Sequence, residues 1–177
     1  MVGLYRYLAK WTGNKNPVAA FRLHRRNIGQ QNDYLDVAGR FAGEIPLRLS
    51  LESEVSEQVG LFQNLFRKIP SGGLTYEILA YQGLLPVARN VSPIVVNYQP
   101  YSMSSLPQDI LDTLKVRQFE SSEHDRFYQI DLIVRENKDQ IVIIAKYSRN
   151  QFEDSTIENI VHEWRQMTEA VISEMNK

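Results

Sequence analysis

The sequence predicts an α+β fold, laid out as an αβ sandwich, and three observations predict it. Tyr128, Ile130, Leu132 and Val134 alternate with polar residues, and an apolar run at 141–147 follows a polar turn, the pattern of a β-hairpin. Val55, Val59, Phe62, Phe66 and Ile69 recur at helical spacing, as do Ile157, Ile160, Val161, Trp164, Met167, Val171 and Ile172. Strands and helices are mixed without strict alternation, which separates this layout from a doubly wound α/β sheet.

Taken in order, residues 4–12 read as a short helix stopped by Thr12-Gly13-Asn14 and Pro17. Residues 18–23 read as a strand, and 29–33 as a polar turn. Ile45, Leu47, Leu49 and Leu51 alternate with polar positions and with Pro46, whose missing N–H places this strand at a start or an edge. The helix over 55–69 has Glu52, Glu54 and Glu57 near its start and Arg67 and Lys68 at its end, both favourable to the helix dipole. Pro70 and Gly72-Gly73 terminate it. A short helix is expected over 76–81, a compact strand over 93–98, and a polar, mobile stretch over 99–126 with a short helix at 108–114. The run Ile141-Val142-Ile143-Ile144-Ala145 is apolar on both faces, as in a central, covered strand. Ser155 and Glu158 form a capping-box pattern opening the last helix. No internal repeat or low-complexity segment appears.

Size and charge narrow the classes. At 177 residues and 43% hydrophobic content the chain supports one sizeable core, so 1–177 is expected to be a single domain. A net charge of −1 gives no global field for nucleic acid or an anionic membrane. No apolar run reaches the roughly 18 residues of a membrane span. No secretory signal opens the chain, and no cysteine provides disulfides, thiolate metal sites or a thiol nucleophile. The expectation is a cytoplasmic globular chain, or a piece of one.

A search for catalytic patterns returns none: no metal-binding H-E-x-x-H, no phosphate loop, no G-x-S-x-G elbow. The three histidines, His24, His124 and His162, are isolated from one another. His162 reads as a helix-boundary residue with a local hydrogen bond, and His124 as solvated in a charged loop. His24 lies in R-L-H-R-R at 22–26, which is either a solvated strand end or a contact for a phosphate or an acidic partner. Gly39 and Gly43 read as a bend before a strand. Asn97 in an apolar strand needs partners, either tying a loop to the sheet or lining a channel.

Several segments, in order, resemble the condensation and epimerisation domains of nonribosomal peptide synthetases. V-A-G-R-F-A-G-E-I-P-L-R at 37–48 is similar to the family's V-G-x-F-V-N-T-x-P-L-R, with Gly39, Phe41, Pro46, Leu47 and Arg48 matching and Gly43 and Glu44 departing. Pro70, Gly73 and Tyr76 match P-x-x-G-x-G-Y, and Asn97-Tyr98 matches the end of F-N-Y. Tyr147, Phe152, Thr156 and Ile157 are in register with the closing helix, and residues 8–13 with a helix ending in L-x-x-x-T-G. These segments resemble the C-terminal lobe of a chloramphenicol-acetyltransferase-like (CoA-dependent acyltransferase-like) fold. In the family the H-H-x-x-x-D-G of catalysis lies in the N-terminal lobe. Where epimerisation domains carry the first Glu of E-G-H-G-R-E, this chain has Arg22.

The resemblance implies a lobe that supports amide-bond formation between carrier-bound substrates without catalysing alone. It implies no directly bound cofactor beyond the phosphopantetheine arm of partner carrier proteins. The partners implied are peptidyl or aminoacyl carriers and the N-terminal lobe, with a homodimer through the face that lobe would cover. No catalytic or metal-ligating residue is assigned. Gly39, Phe41, Tyr76 and Asn97 are expected to line or support the channel; Arg22, Arg25 and Arg26 to face an acidic carrier; and 99–126 to form a crossing or latch segment. Two rival readings remain at this stage: a non-enzymatic interaction module, and a stand-alone acyltransferase using one of the histidines or a carboxylate as base.

Overall fold

The computed structural model describes residues 1–24, 38–39, 41–99, 127–137 and 140–177. Its strands are β1 (Val18–Leu23), β2 (Gly43–Arg48), β3 (Ile94–Gln99), β4 (Ile130–Asn137) and β5 (Gln140–Tyr147). They form one mixed sheet in the order β2-β1-β3-β4-β5. β1, β3 and β4 run parallel; β2 and β5 flank them antiparallel. The helices are α1 (Val2–Thr12), α2 (Val55–Arg67), α3 (Leu74–Tyr81), the single turn α4 (Ala88–Val91) and α5 (Asp154–Met175), with a 3-10 turn at Pro70–Gly73.

Strand alternation sorts the sheet into two faces. Ala19, Phe21, Leu47, Ile94, Val96, Ile130, Leu132 and Val134 point to the front, where α1, α2 and α5 cover them in one core. Phe21 is its centre: its ring lies 5.7 Å from Phe62, 5.3 Å from Phe66 edge-on, and 6.2 Å from Tyr5. Such pairs add about 0.5–1.5 kcal/mol each beyond area burial. Ala20 and Val95 point to the back, under Ala88, Tyr128 and the partly buried Tyr76.

α1 and α5 meet at bare backbone. A Cβ on Gly3 would sit 2.3 Å from Thr168 Oγ1 and 2.7 Å from the Thr168 backbone, so only glycine fits. Lys10–Glu163 (2.5 Å) and Arg6–Glu174 (3.1 Å) flank the contact. α1 closes on Gly13 in the left-handed region (φ 69°), whose N–H bonds Ala9 O at 2.8 Å. α2 ends as its glycines predict. Ser71, Gly72 and Gly73 all take positive φ; Gly73 passes against Ile45 and Leu23, and α3 beyond it carries Tyr76 to the back face.

Five expectations need correction. The strand predicted over 45–51 is β2, 43–48; Leu49 and Leu51 instead send single backbone bonds to Pro17 O and Lys15 O. Asp154, not a residue after Ser155, opens α5; Glu153 is its N-cap and no side-chain cap bond forms, so Ser155 lies inside the helix. Ile172 is 55% exposed rather than part of the buried stripe, because it lines an open trough beside α5. Among the described residues β5 is an edge strand, not a central one. α4 was not anticipated, being too short for a periodic signal. The turn at 29–33, the helix at 108–114 and all of the 99–126 segment except Gln99 lie outside the described residues.

Candidate functional site

The C-terminal ends of the parallel strands open onto a trough of about 1550 Å³. Phe62, Phe66 and Ile69 form one wall, Trp164, Thr168 and Ile172 of α5 the other; Phe21, Leu23, Val134 and Ile143 make the floor. The mouth is polar, with Arg22, His24, Asn97 and Gln99. An apolar concavity with a few polar groups at strand ends is where α/β proteins place ligands. The volume exceeds the usual range for a single small molecule, so the trough is open to something larger or is incomplete without more chain.

Behind the mouth, on the back face, lies an ion cluster. Arg22 and Glu44 are direct neighbours across β1 and β2. Arg22 Nε and Nη2 donate to Glu44 Oε1 at 3.1 and 2.9 Å, and Nη1 donates to Asp131 Oδ2 at 3.2 Å. The Tyr128 hydroxyl donates to Glu44 Oε2 at 2.9 Å, and the Glu44 backbone N–H donates to Glu77 Oε1 at 2.8 Å. All three charged side chains are about a quarter exposed, 24%, 26% and 22%, so solvent screens the pairs only partly. Burial works against the charge on Arg22, but Asp131 and Glu44 outweigh it and raise its pKa. Burial first, then the Glu44 charge, pushes Tyr128 well above the ordinary tyrosine range. Asp131 Oδ1 is buried with no hydrogen-bond partner among the described residues.

The expected channel residues divide. Asn97 lies on the trough, next to Arg22 in the β1–β3 register. Tyr76 packs in the back cluster instead, its hydroxyl donating to Pro86 O. Gly39 is exposed before β2, close to the Phe41 ring, and neither lines the trough; the neighbouring Ala42 does. Arg22 is held by two carboxylates, and Arg25 and Arg26 lie outside the described residues. His24 is exposed at the mouth; His162 is exposed and hydrogen-bonded to Gln166 at 2.9 Å, the local bond expected of it. His124 lies outside the described residues. Sequence reasoning missed Glu44, Tyr128 and Asp131. Glu44 carried a signal, because it and Arg22 both depart from the patterns quoted above and prove to be partners.

No cluster of three metal-ligating side chains occurs among the described residues. Among those residues, no helix is long and apolar enough to cross a membrane.

Comparison with known proteins gives the frame for this geometry. A family model described as "Condensation domain" matches residues 2–177. Bacitracin synthase 2 of Bacillus licheniformis is 26% identical over 159 residues, covering 84% of this chain and 6% of that protein. The epimerization domain from the third module of tyrocidine synthetase B superposes with a TM-score of 0.72 at 23% identity, covering 97% of this chain and 40% of that one. A starter condensation domain of rhizomide synthetase, solved in complex with C8-CoA and Leu-SNAC, gives 0.65 at 14% identity over 96% and 39%. The chain thus spans well under half the length of the relatives it matches.

Proposed function

From the premise that this chain belongs to the condensation-domain family, we propose that it is the C-terminal lobe of a nonribosomal peptide synthetase condensation-type domain. Its role is to support amide-bond formation between carrier-bound substrates without supplying the catalytic group. The observation that carries this reading is the pairing of coverages: 97% of this chain, but 40% of the solved domain, superposes at a TM-score of 0.72. The trough agrees with it. Its walls are shape-defining and apolar, and its mouth lacks a paired base and nucleophile among the described residues.

On this reading Asn97 stands at the channel mouth beside Arg22. Tyr76, Gly39 and Phe41 support its wall from the back face and from the approach to β2. Phosphopantetheine arms of carrier proteins bring the acyl and amino groups, and Arg22, Arg25 and Arg26 are assigned to the acidic carrier. Arg22 does this only with the charge that Glu44 and Asp131 leave it, so it contributes less than its neighbours. Residues 99–126 are assigned to a segment that crosses to the N-terminal lobe. The protein works in the cytoplasm.

The Arg22 environment bears on condensation against epimerisation. A guanidinium fixed by two carboxylates takes no proton from a substrate carbon near neutral pH. This favours amide formation over racemisation as the reaction the lobe serves.

The test is thioester aminolysis with acyl- and aminoacyl-carriers and the lone chain. Amide product is expected at the buffer rate, while the loaded carriers are expected to bind the chain when titrated. Turnover by the lone chain would overturn the supporting role, and failure of every carrier to bind would overturn the docking.

A further inference from the structure

β3 ends at the trough mouth in two side-chain amides. Asn97 and Gln99 alternate onto the same face of the strand, both are half-buried, and both line the mouth. They are held differently. Gln99 pairs with Arg135 across β3 and β4, and its Oε1 accepts the Arg135 Nε–H at 2.9 Å. A guanidinium has donors and no acceptor, so this contact fixes the amide, with its oxygen toward Arg135 and its NH2 group turned away. Asn97 stands between Arg22 on β1 and Ile133 on β4, and Arg22 is engaged by Glu44 and Asp131. Among the described residues no hydrogen bond holds the Asn97 side chain. An amide in an apolar strand needs partners, and its own sheet offers it none.

We infer that this pair grips the backbone of an extended, amide-bearing chain at the mouth, with Arg135 as the residue that positions Gln99 for it; this rests on the lobe being one wall of a carrier channel, as proposed above. The chemistry sets the ligand class. The Gln99 NH2 group donates, so it calls for a carbonyl oxygen. The Asn97 amide is free to turn, and it donates to a carbonyl or accepts from an N–H. A secondary amide supplies both groups, whereas an ester has no N–H and a hydrocarbon has neither. Spacing agrees. Alternate residues of a strand stand about 6.8 Å apart, which is also the repeat at which an extended peptide presents carbonyls to one side. Two chains carry such amides into a channel of this kind: the pantetheine arm, and a peptide growing on it.

Side-chain amide resonances of the full chain, isotopically labelled, test this. Asn97→Asp and Gln99→Glu identify the two signals by removing them. The probes are pantetheine and N-acetyl-dialanine methylamide, each titrated to about 10 mM because two hydrogen bonds support millimolar binding at best. At least one of them is expected to shift both signals, while methyl hexanoate, which has no amide, should shift neither. Pantetheine alone would assign the pair to the carrier arm, and the dipeptide alone to the growing chain. Gln99→Glu keeps an acceptor for Arg135 but loses the NH2 group, and Arg135→Leu releases Gln99. Each should weaken binding about fivefold, read from the Asn97 signal, with circular dichroism unchanged. In Arg135→Leu the Gln99 side chain should gain mobility in relaxation measurements while its backbone does not. No shift with either amide, equal shifts with methyl hexanoate, or wild-type affinity in Gln99→Glu or Arg135→Leu would overturn the inference. Loaded carriers that bind the chain while neither amide probe moves these signals would sink it and leave the supporting lobe standing.

Discussion

The two edges of the sheet are opposites. β2 carries Pro46 in the middle of its ladder and charged Glu44 and Arg48, and it is tied inward through Glu44 to Arg22 and Tyr128. β5 has no proline and a single charge, Lys146. On β2 the guarding Glu44 also fastens the strand to the sheet, adding polar contacts on the back face to the burial of Leu47 on the front. On β5 the apolar side chains rest on α5 at the front, and the outer backbone is bare among the described residues. One edge is finished by polar contacts and the other by apolar packing against a helix.

Three measurements sharpen this contrast, beginning with the largest effect. Gly3→Ala should weaken the β5 side, because the new methyl group collides with Thr168 and lifts α5, which backs β5. Overpacking of this kind costs about 3 kcal/mol, readable as a lower denaturant midpoint; an unchanged midpoint would mean that α5 is not held by this contact.

Arg22→Ala should weaken the β2 side by about 2 kcal/mol, since it leaves Glu44 and Asp131 close together without their cation. Adding Glu44→Gln should restore part of the loss in a double-mutant cycle. Additivity of the two changes would show that the pairing across β1 and β2 contributes nothing.

Tyr128→Phe should cost about 1 kcal/mol through its lost hydrogen bond to Glu44. Its pH signature is separate. The folded pKa of Tyr128 lies above the unfolded value near 10, so its contribution is complete below about pH 10 and is lost as pH rises through the folded pKa. The wild-type melting temperature should fall more steeply than that of the variant in this alkaline window. Parallel curves would place the alkaline loss elsewhere, with the buried Tyr5, whose pKa burial also raises, as the other source.

Much of the fold was legible in the sequence. Periodicity marks α2, α5 and the β4–β5 hairpin, and Pro46 marks β2 as an edge, because each signal is local. The limits were equally physical. The capping-box reading of Ser155 failed since Asp154 opens the helix two residues earlier, with Glu153 as N-cap. Apolar content on both faces of β5 was read as central position, yet composition reports what a strand can bury, not what lies next to it. Of the expected channel residues, Asn97 stands on the trough, while Tyr76 was drawn to the back by α3, which turns away from α2 at Ser71–Gly73.

By itself, the sequence determined which segments are helices and strands, where the glycine and proline stops fall, and the order of segments that resembles one lobe of a condensation domain. Tertiary structure alone decided which strand ends at which edge, and that Arg22 meets Glu44 and Asp131. Asp131 is 109 positions from Arg22 along the chain. No local spacing rule reaches that far, because their encounter depends on how the whole sheet is ordered.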